Sequence, residues 1–248
     1  MPTSRRDFAK KIVAASAGLS LQSFATRAAD KVNPKLKIVC VGGHPDDPES
    51  GCGGTLAMFA SQGHDVTIIY LTRGEAGIEG KSHEEAASIR TKEAIAACKI
   101  LNAKPVFAGQ IDGAGMVNNE WVTKMQSLIS EEKPDIVFTH WPIDSHKDHQ
   151  CASLLTIQTW MRNGKNFALY LFEVCTGSQT TSFKPTDYVN ITATQEQKKQ
   201  SVYCHVSQNP DSIYNSANCN HESMEKFRGI EMSAKAAEAF VRMGNEFK

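Results

Sequence analysis

Two short stretches far apart in the chain hold the kinds of side chain that a catalytic metal site needs. His44-Pro45-Asp46-Asp47 supplies one imidazole beside two adjacent carboxylates, and His146-Lys147-Asp148-His149 supplies two imidazoles at i and i+3. Residues three apart share one face of a helical turn, so both rings of the second stretch can point the same way. Zinc accepts imidazole and carboxylate alike, and a catalytic zinc keeps three protein ligands and leaves one position for water. A carboxylate left over beside the ligands can act as a general base. If the fold brings the two stretches together, metal-assisted hydrolysis is the chemistry they suit. Spacing alone does not say which of the five side chains bind the metal.

The elements around them have the form needed to bring them together. Lys35 to Gly43 is an apolar run ending in two glycines, the form of a buried parallel strand, and Thr55 to Ala60 opens a helix, which places His44 to Asp47 in a strand-to-helix loop. Asp65 to Leu71 is the next strand, Glu84 to Leu101 a long helix, Val106 to Ala108 a short strand, Trp121 to Glu132 a helix and Asp135 to Thr139 another buried strand. The second histidine stretch follows that strand directly. Leu169 to Val174 and Asp187 to Ile191 read as strands, Thr194 to Cys204 and Glu222 to Glu231 as helices. This alternation predicts one Rossmann-like α/β domain, a mostly parallel sheet with helices on both faces, over residues 31–248. Such sheets bind ligands outside the carboxyl ends of their strands, where both histidine stretches fall.

Other motifs weigh less. Gly51-Cys52-Gly53-Gly54 after a strand invites a dinucleotide reading, but GxGxxG is absent and two carboxylates stand where a phosphate would sit. Asp46 and Asp47 could be a helix N-cap pair, which accounts for one Asp more easily than for two beside a His. His64, His83 and His221 sit in polar surroundings and are expected at the surface, and His140 is expected to support the site or the fold. No CxxC pair occurs among the seven cysteines. Packed free thiols are the expectation for them, with a Cys204–Cys219 bridge as the alternative in an oxidising compartment.

Twenty-seven basic and 27 acidic residues balance over 248 positions, so no global field draws nucleic acid or an anionic membrane. A neutral or weakly charged small molecule is the expected partner, and a homo-oligomer stays open. Ser4-Arg5-Arg6-Asp7-Phe8-Ala9-Lys10 resembles a twin-arginine export signal, and the mildly apolar Ile12 to Phe24 that follows is too short and weak for a stable membrane span. Residues 1–30 are therefore set apart from the fold, and a periplasmic location is expected.

Several motifs recur in an order that makes a resemblance specific. His44-Pro45-Asp46-Asp47, Gly51-Cys52-Gly53-Gly54-Thr55-Leu56-Ala57, Thr72-Arg73-Gly74-Glu75, Arg90-x-x-Glu93 and Asp144-x-His146-x-Asp148-His149 resemble the LmbE/PIG-L family of zinc-dependent N-acetylglucosamine deacetylases. The resemblance implies that His44, Asp47 and His149 bind zinc, that Asp46 is the general base, and that His146 assists the oxyanion. It also implies that Arg90 and Asp112 touch the sugar, and His205-Val206-Ser207-Gln208 resembles an element that lines the site. The family commonly has Glu directly after the Asp pair. Here Pro48 intervenes and the acid is Glu49, which leaves open whether that Glu orients His44. The implied reaction is hydrolysis of an N-acetyl amide, with Asp46 taking the proton of the attacking water and Asp46 or His146 protonating the departing amine. Two other classes share the residue types: a non-haem iron oxygenase, whose facial triad is also two histidines and a carboxylate and would make the metal Fe2+, and a sugar-binding protein without catalysis.

Overall fold

Apolar runs separated by helices build the parallel sheet, and strand order decides where the histidine stretches meet. The computed structural model describes residues 34–217 and 219–244; the twin-arginine-like stretch lies outside the described residues. The strands β1 (Lys37–Gly42), β2 (Asp65–Tyr70), β3 (Lys104–Phe107), β4 (Ile136–His140), β5 (Ala168–Phe172), β6 (Asp187–Asn190) and β7 (Ala237–Arg242) form one sheet in the order β3-β2-β1-β4-β5-β7-β6. From β3 to β5 all neighbours pair in parallel, whereas β7 runs antiparallel to both β5 and β6. Helices α1 (Asp47–Ser61), α2 (His83–Leu101), α3 (Asn119–Glu132) and α4 (Lys147–Arg162) alternate with the parallel strands; α5 (Gln195–Val202), α6 (Pro210–Tyr214) and α7 (His221–Glu231) precede β7.

Side chains alternate across a strand, so each central strand feeds two cores. Ile38 and Cys40 of β1 pack with Leu56 and Phe59 of α1 and Cys98 of α2, while Val39 and Val41 pack with Val122 and Ile129 of α3 and Leu155 of α4. Burial on both faces is why these strands read as continuous apolar runs. The expected single α/β domain is therefore present. Among the described residues no helix is long and apolar enough to cross a membrane.

Three elements differ from the sequence reading, among them α6, a short helix with Pro210 at its first turn that the sequence reading did not place. Helix α1 starts at Asp47 rather than at Thr55, because Pro48 suits a first turn, where its missing N–H costs nothing. The glycines after it are helix interior that must approach its neighbours closely: a Cβ on Gly51 would lie 2.5 Å from Phe172, and one on Gly54 2.8 Å from Ile191. β7 was not foreseen, since Glu238 breaks its apolar pattern. That carboxylate is buried but accepts the Gly54 and Thr55 N–H groups at 3.0 and 2.8 Å and pairs with Lys198 at 2.7 Å.

The chain leaves β1 toward β2 on one side, and β4 pairs with β1 on the other. Helices that diverge at such a switch point open a crevice at the carboxyl ends of the two strands.

Candidate active site

The loop after β1 carries His44 and Asp46 into α1, and the loop after β4 carries His146 to the start of α4, where Asp148 and His149 occupy the first turn. Because β1 and β4 are adjacent, the two stretches face each other. The ring of His146 lies 4.6 Å from those of both His44 and His149, centroid to centroid. Asp47 sits between the other two rings, with Oδ2 3.1 Å from His44 Nδ1 and Oδ1 3.2 Å from His149 Nε2. His44, Asp47 and His149 are all buried.

Their outer nitrogens are held by carboxylates. His44 Nε2 is 3.1 Å from Asp112 Oδ1 and from Asp148 Oδ2, and His149 Nδ1 is 3.1 Å from Asp144 Oδ1. Carboxylates accept, so both nitrogens of each ring donate, the outer ones to Asp112, Asp148 and Asp144 and the inner ones to Asp47, and a bound metal would take the place of the two inner protons. Burial pulls His44 and His149 down, yet the surrounding carboxylates, Asp47 foremost, outweigh it and hold His44 well above its ordinary value and His149 up at about 9. Burial would raise Asp47, but His149, His140 and His44 keep it well below the carboxylate range. Ligand atoms of His44, His146 and His149 lie within 4.8 Å of one another, as do those of Asp47, His140 and His149, and imidazoles beside a carboxylate, with His44 and His149 each backed by a further carboxylate, are a donor set that fits zinc.

A fourth ring, His140, stacks on His149 at 4.1 Å and has Nε2 3.4 Å from Asp47 Oδ2. Its Nε2 accepts the Gly43 N–H at 3.1 Å, and burial, with the neighbouring His149, lowers it to about 4. It is thus a neutral ring that fixes the β1 loop and packs the site from below.

Asp46 stands apart from this cluster. Its φ of 103° lies in a region that L side chains other than Asn and Asp rarely enter, and its Oδ2 accepts from Arg90 at 3.1 Å. The same Arg90 nitrogen donates to the Pro45 carbonyl at 2.6 Å, and Glu49 accepts the Asp46 N–H at 3.2 Å. Burial pushes Asp46 up, against the pull of Arg90, to about 6. His146 accepts the Asp148 N–H through Nδ1 at 3.3 Å, which leaves the Nε2 proton free to face the pocket. Burial, then His44 and His149, lower it from its ordinary value.

A pocket of about 530 Å³ opens over these groups, lined by His44, Asp46, Arg90, Asp112 and His146 on the inner side and by Gln208 among others farther out. Arg90 and Asp112 thus reach the pocket while also holding Asp46 and His44. His205 is a correction: it is fully buried, with Nε2 3.4 Å from Glu49, and lies behind the pocket wall that Gln208 of the same segment forms. Glu49 is engaged by the Asp46 N–H, the Tyr70 hydroxyl at 2.5 Å and His205, so the work of orienting His44 falls to Asp112 and Asp148. Sequence reasoning placed Asp144 and Asp148 in the second motif but gave them no role, although carboxylates interleaved with two histidines were a usable signal. His221 is not at the surface but buried, and Cys175, not Cys204, is bridged to Cys219. Residues 175 and 219 are far apart in sequence, and only the packing of the loop after β5 against the start of α7 brings them together.

A profile of the PIG-L family, described as GlcNAc-PI de-N-acetylase, matches residues 39–160, the segment from β1 to α4 that carries both histidine stretches. A diacetylchitobiose deacetylase of Thermococcus kodakarensis is 30% identical over 196 residues, 73% of each chain. The chain belongs to the PIG-L family. Among solved structures, the PIG-L domain superposes on the N,N'-diacetylchitobiose deacetylase of Pyrococcus horikoshii with a TM-score of 0.74 at 24% identity, over 98% of this chain and 94% of that one. The 4-carboxy-2-hydroxymuconate hydratase of Pseudomonas putida KT2440 gives the same TM-score at 20% identity, over 86% and 98%. One fold therefore serves a deacetylase and a hydratase, so the reaction of this PIG-L member has to be argued from its site.

Proposed function

We propose that this PIG-L member is a zinc-dependent deacetylase that removes the N-acetyl group from an N-acetylglucosamine-type sugar or glycoconjugate. The observation that carries the reading is the pair of inner ring nitrogens of His44 and His149 that both face Asp47 and are backed by outer carboxylates, beside a carboxylate, Asp46, that is not part of the cluster. His44 Nδ1, Asp47 and His149 Nε2 would hold the metal, zinc first and Fe2+ as the other ion their chemistry admits. When bound, zinc acidifies water and polarises the acetyl carbonyl.

Asp46, at about 6, is poised to take the water proton near neutral pH, and Arg90 fixes the carboxylate that does so. The Nε2 proton of His146 faces the pocket, where it can stabilise the tetrahedral oxyanion. Asp46 then returns its proton to the departing amine. The products are acetate and a free amino sugar. Gln208, with Gln179 and Ser212 on the same outer wall, offers uncharged hydrogen-bonding groups that suit sugar hydroxyls. The Thermococcus relative's diacetylchitobiose supports this substrate class.

Metal analysis combined with an acetate-release screen over N-acetylated sugars tests class and substrate together. Asp46→Asn should keep the metal and lose ~10²–10⁴ of turnover, while His149→Ala should lose both. Full activity in metal-loaded Asp46→Asn protein would end the base assignment. We also propose export through the twin-arginine-like stretch. The Cys175–Cys219 disulfide supports an oxidising compartment, and recovery of the protein from a periplasmic extract is the check.

A further inference from the structure

Cys175 does two things at once. It lines the outer wall of the catalytic pocket, beside Val174 and Gln179, and its sulfur is bonded to Cys219, just ahead of α7. His221, the first residue of α7, is only 1% exposed, and its Nε2 points back at the same cysteine, 3.4 Å from the Cys175 N–H and 3.8 Å from Sγ. The deacetylase chemistry uses none of these three groups.

We propose that Cys175, Cys219 and His221 form a second metal site, shut while the cysteines are bonded to each other and opened to a thiophilic divalent cation such as zinc by a dithiol reductant. One donor atom from each residue lies within 4.8 Å of the others. A tetrahedral ion with sulfur at ~2.3 Å and nitrogen at ~2.0 Å has a sulfur–nitrogen edge of about 3.6 Å, close to the spacing already present between Cys175 Sγ and His221 Nε2. His221 Nε2 accepts the Cys175 N–H at a long 3.4 Å, which puts its lone pair rather than a proton on the side of the two sulfurs, where a cation would replace that weak bond.

The chemistry balances. The dithiol's two thiols give two electrons and two protons to the disulfide, the dithiol closes into its own disulfide, and Cys175 and Cys219 become thiols. The divalent cation then displaces one proton from each, so two thiolates and one ion sum to zero charge in a half-buried place. Two unneutralised thiolates there would be costly. Either state ties the loop after β5 to the start of α7, by a covalent bond in one and through the ion in the other. Only the reduced, metal-free state leaves the pocket wall untied.

Cobalt(II) separates this site from the catalytic one, because only a thiolate-bound cobalt gives an intense near-ultraviolet sulfur-to-metal charge-transfer band. Zinc-loaded protein is reduced with dithiothreitol, desalted without air, and titrated with cobalt(II) beside an unreduced sample. The band should grow to one equivalent in the reduced protein and stay absent from the unreduced protein and from reduced Cys175→Ser/Cys219→Ser. His221→Gln should weaken cobalt binding by at least the ~10–100-fold that loss of even an outer partner costs. The proposal is overturned by a reduced protein without the band, by a band that survives in the double serine variant, or by an unchanged cobalt affinity in His221→Gln. Loss of the near-ultraviolet circular dichroism of the fold on reduction overturns it too, since the site needs its walls in place. Acetate release plays no part in these readouts, so their failure leaves the deacetylase reading standing.

Discussion

Asp144 shows how much of the candidate site rests on a side chain outside the proposed ligand set. Its carboxylate meets His149 Nδ1 at 3.1 Å, the Thr180 hydroxyl at 2.9 Å and the His146 N–H at 2.8 Å. One group therefore fixes the tautomer of one histidine and the backbone of another. The charge matters as much as the contact, because a neutral partner no longer strengthens His149 as a donor. Asp144→Asn should weaken zinc binding ~10–100-fold, read by competition with a chromophoric chelator, and excess zinc should recover part of the activity. An unchanged zinc affinity would remove Asp144 from the metal's support. The residues of the two histidine stretches were legible in the sequence because zinc and hydrolysis select residue types. Asp144 and Asp148 were not assigned roles because a sequence does not say which ring nitrogen of a histidine faces inward, and that choice decides where the supporting carboxylate must stand.

At the scale of elements, the glycines of α1 set helix propensity against packing. Replacing a glycine inside a helix by alanine should gain ~1 kcal/mol by propensity. At Gly51, however, the new Cβ would lie 2.5 and 2.8 Å from two ring atoms of Phe172 and 3.1 Å from Val174, and overpacking of this kind costs typically ~1–3 kcal/mol. Packing should win, so Gly51→Ala is expected to lose up to about 2 kcal/mol in urea unfolding rather than gain stability. Phe172 also packs against His140 at 4.6 Å, which stacks on His149, so zinc affinity should fall with it. A stabilised variant would show that the α1 to β5 contact yields easily. The same conflict explains the misplaced start of α1. Local preference reads glycines as the end of a loop, and only contacts from β5 and from Ile191 just after β6 make them helix. The central strands had no such conflict, since burial on both faces wrote itself into Ile38–Val41 and Ile136–Thr139 as unbroken apolar runs, and the site's place at their carboxyl ends followed.

Over the whole molecule, the last third of the chain is fastened to the first by buried polar groups as well as by Ile191 and Phe240 in the apolar core under α1. Lys198 of α5 pairs with Glu225 of α7 at 2.9 Å and with Glu238 of β7 at 2.7 Å, and Glu238 accepts the N–H groups of α1. Periodicity cannot reveal such an arrangement, because each member looks like a surface residue until all the partners are placed. His221 is buried beside it, and burial and Lys198 together hold its imidazole down at about 3, against ~6.5 in an unfolded chain. Between those two values the unfolded chain binds a proton that the folded protein refuses, so stability is intact above pH ~6.5 and drains away as the pH falls. The slope approaches ~1.4 kcal/mol per pH unit, and by pH 4.5 the accumulated loss from this one ring is about 2–3 kcal/mol. Other groups titrate over the same range, but they are common to the native protein and His221→Gln, so the difference between the two isolates the ring. Urea unfolding from pH 7.5 to 4.5 should give a shallower loss for His221→Gln by about that amount, and parallel curves for the two proteins would mean that His221 takes up its proton in the folded state as readily as in water.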